Sequence, residues 1–149
     1  MTLDEWLQNK WLKTHASSRE EVKELLGKID RDLTEAEKQV ISADWRLAIG
    51  YNACLGCATV ALRASGYRAP EGDGHHYRTL ESLRFTMAID SETISALQAI
   101  RRKRAIISYD AAGTATEAEV KETVTIAHDL YAALLPWLKT HHPQLSPRS

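Results

Sequence analysis

The chain is poor in the residues that usually announce a special chemistry. Its 149 residues include two cysteines, four prolines, seven glycines and one phenylalanine. Two cysteines are too few for a disulfide-stapled scaffold. So little proline and glycine, with 44% hydrophobic and 26% charged residues, excludes a collagen-like or globally disordered chain. No apolar run approaches the roughly 18 to 20 residues that span a bilayer. The opening MTLDEWLQNK is acidic and amphipathic rather than signal-like. No membrane association and a cytoplasmic location are therefore expected. Charge of one sign is lacking too, with 19 Lys and Arg against 20 Asp and Glu, a net charge of -1. The chain as a whole has no electrostatic pull toward nucleic acid, so any basic surface must be local. A phosphate-binding glycine loop, a dinucleotide fingerprint and a nucleophile elbow are also missing.

What is present is helical periodicity. Apolar residues recur at three- and four-residue spacing almost everywhere, with no convincing alternating strand pattern. One domain of this length can bury a continuous core without metals or disulfides, so a single all-α domain over 1–149 is expected. Thr2 with Glu5 opens a short helix within 1–16, and Ser18 with Glu21 opens a longer one. The stripe of that second helix is Val22, Leu25, Leu26, Ile29 and Leu33, extending toward Val40, with Thr34 and Glu37 offering a competing break. Ser42 caps the next helix, which Gly66 stops. That helix carries small or apolar residues around most of its circumference, so it should be the central one. Cys54 and Cys57 lie inside it as C-x-x-C, where two small buried side chains are expected rather than a redox pair or half a zinc site.

GYRAPEGDG, residues 66 to 74, is a strong loop signal, after which HHYRTLESLRFTMAI resumes helical spacing. Asp90 or Ser91 starts a further helix, and Thr116 with Glu119 caps the last, which Pro136 should kink or end. The segment 143–149 should fray. Short loops favour antiparallel neighbours, giving an up-and-down bundle of about five helices. The four tryptophans, Trp6, Trp11, Trp45 and Trp137, read as core, and His128 reads as a hydrogen-bonded core histidine.

The stretch RRKRAIISYD, 101 to 110, sets four cations against an apolar run. With Ile94 at zero on an ideal helix, Leu97 falls at about 300°, Ile100 at about 240° and Ile107 at about 220°. Arg104 falls at about 280°, inside that apolar arc, and Arg101 and Ser108 lie at its edge near about 340° and 320°. Arg102 and Lys103 read as solvated. A guanidinium cannot shed its proton, so Arg104 needs a carboxylate, Asp44 being one candidate, or an open groove and an anion. His75 and His76 precede a helix, where imidazole favours its neutral form and backbone N–H groups can receive an anion. Their side chains diverge and no third ligand matches their spacing, so no metal site is expected.

The segments ADWRLAIGYNACLGCATVALRASGYR, GHHYRTLESL, ALQAIRRKRAIISYD and AEVKETVTIAHDLYAALLPWL together resemble a HEPN domain, over roughly residues 18 to 140. The resemblance implies a five-helix bundle, a homodimer, and a metal- and cofactor-independent endoribonuclease of toxin–antitoxin or defence type, neutralised by a nucleotidyltransferase partner. The family's signature is an Arg, often followed by Asn, with a His a few residues on. Arg104 matches the Arg, Ala105 stands where Asn would, and Ser108, Tyr109 or Asp110 stands where His would. Cleavage at the 2′-hydroxyl without a metal needs a base, an acid and a cation, and Arg104 supplies only the cation. Three readings follow. The first is a module that binds RNA or a nucleotide-bearing partner through Arg101, Arg104, Ser108, His75 and His76, with weak or no nuclease activity. The second is an active nuclease using Arg104 with Tyr109, Asp110 or His76. The third is a structural dimer with Arg104 in a buried ion pair.

Overall fold

The computed structural model describes residues 1–109 and 114–148, and among them the architecture is all-α apart from one two-stranded sheet. The helices are α1 (Leu3–Gln8), α2 (Arg19–Ala36), α3 (Ala43–Ala64), α4 (His75–Glu81), α5 (Leu83–Thr86), α6 (Ser91–Tyr109) and α7 (Glu117–His141). The strands β1 (Lys13–Thr14) and β2 (Tyr67–Arg68) pair antiparallel, Lys13 opposite Arg68 and Thr14 opposite Tyr67. Two residues per strand are too few to show alternation, which is why the spacing gives no sign of them.

The helix starts follow the capping residues. The hydroxyls of Thr2, Ser18, Ser42 and Thr116 accept from the backbone N–H groups of Glu5, Glu21, Trp45 and Glu119. Thr116 and Glu119 complete a reciprocal box, because the Glu119 carboxylate also accepts from Thr116 N at 2.9 Å. The competing break near residue 34 does not occur. Thr34 Oγ1 donates to the Asp30 carbonyl inside the helix at 3.1 Å, and α2 runs on to the buried Ala36. Val40 lies beyond it, 95% exposed.

α3 is the hub. By length and composition it would suit a bilayer, but 61% of its most apolar stretch is buried inside this protein. Glu21 faces Arg63, so α2 runs against α3, whereas Arg46 faces Glu117 and Gly50 faces Thr123, so α7 runs alongside α3 in the same sense. Close approach explains the small residues. A Cβ on Gly56 would lie 2.8 Å from Ile29 Cγ1, and one on Gly50 would lie 3.0 Å from Thr123 Cγ2. Cys54 and Cys57 are free thiols within this packing; burial pushes both up, Cys57 to about 12, so neither is a nucleophile at neutral pH.

Several expectations are corrected. Pro136 does not end the last helix, which continues to His141. The segment after it is docked rather than frayed over 143–146: Arg19 donates from Nε to the Gln144 carbonyl and from Nη2 to that of Pro143, both at 3.2 Å, and Leu145 is buried. Trp45, in the first turn of α3, is 67% exposed rather than core. His128 is also exposed and meets Glu37 across the surface. Trp6 does pack, edge-on to Phe85 at 5.1 Å, and the Arg78 guanidinium covers both Trp6 and Trp11. That stack fastens α1 to α4.

The glycine contacts generate a paired prediction. Gly56→Ala should destabilise, because overpacking against the buried Ile29 costs about 1–3 kcal/mol and the helix-propensity gain returns only about 1 kcal/mol. Gly27→Ala, with nothing within 4 Å of its Cβ position, should stabilise by up to about 1 kcal/mol. Urea denaturation of the two variants beside the parent checks both signs.

Candidate functional site

Two segments far apart in sequence meet beside the middle of α3. The loop after β2 and the start of α4 supply His75, His76 and Tyr77; the C-terminal half of α6 supplies Arg101 and Arg104. With Tyr51 of α3 they line a cleft of about 530 Å³. Four of the residues singled out in the sequence, Arg101, Arg104, His75 and His76, are thus brought together. α6 continues through Tyr109, while the side chains of Ser108 and Tyr109, and Asp110 altogether, lie outside the described residues.

Gln98 holds the two walls in register. Nearly buried, it donates from Nε2 to the Tyr77 carbonyl at 3.1 Å and to Glu81 Oε2 at 3.0 Å, and its Oε1 accepts from Arg101 Nε at 2.7 Å. A long amide is the side chain that can do this, since it donates on one side and accepts on the other. Arg101 is thereby aimed along the cleft, 5.7 Å from the Tyr77 ring centre. On the opposite wall, His75 Nδ1 donates to the Pro70 carbonyl at 3.1 Å, which leaves Nε2 facing away from the loop as an acceptor in the neutral ring. α4 has only seven residues and no side-chain cap at Gly74. It therefore brings its histidines to the cleft rather than a developed helix-end charge.

Arg104 is the exceptional group. Its Cζ lies 5.6 Å from the Tyr51 ring centre, and its buried Nε has no hydrogen-bond partner among the described residues. The proposed pairing with Asp44 is not formed. Asp44 accepts from the Ala115 N–H at 3.1 Å, and no carboxylate among the described residues is in ion-pair range of Arg104. Its neighbours on α6 behave differently: Arg102 is exposed, and Lys103 reaches Glu119 of α7 at 3.5 Å. No protein-family model, curated protein or solved structure matches the chain. The chemistry of the cleft therefore rests on its own residues.

His76 and Tyr51 form the floor. His76 Nδ1 lies 3.1 Å from the Tyr51 hydroxyl. Burial, His75 and the guanidinium groups of Arg104 and Arg101 hold His76 below the usual imidazole range. Burial lifts the Tyr51 phenol far above its usual value, against the pull of the same two arginines. At neutral pH the floor is thus uncharged and the fixed positive charge belongs to the arginines. Glu71 and Asp73 sit exposed on the rim, so the cleft is cationic inside and acidic at its lip. No cluster of three or more metal-ligating side chains occurs among the described residues.

Tyr51, Tyr77 and Gln98 complete the site and were not foreseen. Gln98 had a legible signal: the helical wheel puts it about 40° from Ile94, a polar side chain at the border of an apolar arc. Tyr51 had none, because an aromatic in an apolar helix reads as core.

The depressed His76 has a stability consequence with a definite sign. As pH falls below the ordinary imidazole value of about 6.5, the unfolded chain takes up a proton that the folded ring resists. Stability contributed by the neutral ring is therefore present above that value and is lost as pH falls through it toward the depressed one. Urea unfolding at pH 7.5 and 5.5 should show a smaller acid loss for His76→Gln than for the parent. Equal losses would place the acid sensitivity elsewhere.

Proposed function

We propose that this chain is a HEPN-like helical module that binds RNA through the cleft between α4 and α6, with weak or no nuclease activity. The observation that carries the reading is the Arg104 guanidinium, buried at Nε, without an acceptor there among the described residues, and lining a hollow that Arg101 also lines. A buried guanidinium hydrogen without an acceptor costs about 1–3 kcal/mol, and a phosphate oxygen is the acceptor whose geometry suits the arginine fork. By the same resemblance the module acts in a toxin–antitoxin or defence setting, as a homodimer facing a nucleotidyltransferase-type partner.

One observation favours a second reading, a metal-independent endoribonuclease. A neutral His76 beside two guanidinium groups is equipped to take the proton of a 2′-hydroxyl while the cations stabilise the charge gathering on the non-bridging phosphate oxygens. The 2′ oxygen would then displace the 5′ oxygen and leave a cyclic phosphate. The departing oxygen needs a proton, which must come from His75 or from water. That weaker half of the machinery makes binding the primary reading.

Fluorescence anisotropy with a labelled single-stranded RNA separates these readings from a structural role. Arg104→Met should weaken binding about tenfold or more, as loss of one good phosphate contact implies, while leaving the melting temperature unchanged or raised, since it removes an unsatisfied buried donor. A melting temperature lowered by several degrees with binding intact would instead make Arg104 structural. RNA incubated with the protein in EDTA should stay whole. Fragments ending in cyclic phosphate and lost in His76→Gln would establish the second reading.

A further inference from the structure

His76 and Arg104 do not belong to the cleft alone. They also line a groove of about 360 Å³ between α2 and α3, on their other side. The two side chains therefore form a saddle between two hollows. A phosphate monoester carried by the saddle would fill only one of them. A phosphate with a substituent on each side fills both, and that is a phosphodiester.

The groove is built for the second substituent. Leu25, Leu55 and Gly56 give it an apolar wall, suited to the face of a base or sugar. Asn52 lines this space and its amide has no hydrogen bond to any described residue, and an amide, with two donors and an acceptor, is the group that reads a base edge. Lys28 stands exposed at the rim without an ion pair among the described residues, in reach of the next phosphate along a chain. The other cation of the groove differs: Arg63 is engaged by Glu21 at 3.2 Å. Asp32, the one acid lining the groove among the described residues, is buried and lies 3.9 Å from the Arg31 guanidinium, whose charge opposes its own.

We infer that the α2–α3 groove is a second subsite, receiving the nucleotide on the far side of the phosphate held at Arg104. The ligand is then a single-stranded RNA chain rather than a free nucleotide. This rests on the reading of the cleft as a phosphate site, and it adds Lys28 and Asn52 as binding residues on a helix pair that no motif marks.

The test compares two probes, a short labelled uridine oligonucleotide and unlabelled uridine 3′-monophosphate as competitor. Lys28→Ala and Asn52→Ala together should weaken the oligonucleotide about tenfold and leave the mononucleotide unchanged, whereas Arg104→Met weakens both. Lys28→Ala alone should also lower the salt slope of oligonucleotide binding by about one. Lys121→Ala, an exposed lysine on α7, is the control for nonspecific loss of charge. Equal effects of the Lys28 and Lys121 changes, or a mononucleotide bound as tightly as the oligonucleotide by the parent, would overturn the second subsite and leave the cleft standing. Failure of the parent to bind either probe would remove the cleft reading itself.

Discussion

The close packing of α3 is the constraint on which the molecule depends. Ile29 of α2 and Thr123 of α7 reach its backbone where Gly56 and Gly50 lack a Cβ, and these contacts fix α2, α3 and α7 relative to one another. Tyr51 brings its hydroxyl to the side of α3 that faces α4 and α6. The cleft forms around that hydroxyl. His76 meets it from one wall and the Arg104 guanidinium lies over its ring from the other. The hub that stabilises the fold thus also sets the spacing between base-like and cationic groups.

Magnitudes explain why Arg104 reads as functional. A guanidinium over an aromatic face gains about 0.5–2 kcal/mol, while an unsatisfied buried donor costs about 1–3 kcal/mol. The stack on Tyr51 therefore offsets the loss at Nε only in part. Arg46 shows how the same chain treats an arginine whose role is structural: 3% exposed, it donates to the Ile41 carbonyl and closes on the Glu117 carboxylate. Two arginines on neighbouring helices, both partly or fully withdrawn from water, thus end in opposite states. An unsatisfied polar group beside a hollow calls for an explanation, and an anion taken up from the hollow is the one proposed here.

Local signals in the sequence reached the fold well. Caps at Thr2, Ser18, Ser42 and Thr116, the Gly66 stop and the three- and four-residue spacing are all read within a turn or two of chain, and each has its counterpart in the fold. The angular position of Arg104 was legible for the same reason, since a helical wheel needs only a local period. What the sequence hid is long-range. Nothing local to Val40 or Trp45 says that α2 and α7 leave them uncovered, and nothing local to Leu145 says that the Arg19 side chain will hold the segment before it. The meeting of His75 and His76 with Arg101 and Arg104 could be guessed from chemistry, but the saddle could not, because it needs four helices, α2, α3, α4 and α6, placed at once.

The acidic lip of the cleft sharpens what kind of binder this can be. A chain with net charge -1 gains little from long-range attraction to a polyanion, and Glu71 and Asp73 at the entrance repel one further. Association must then depend on contacts made inside, where low local dielectric strengthens the arginine–phosphate interaction. In the proposed function, a flexible single strand brings one phosphate past the acidic lip more easily than a duplex, whose phosphates are held on a rigid exterior. On that reading the repulsive rim is a selectivity element rather than a defect.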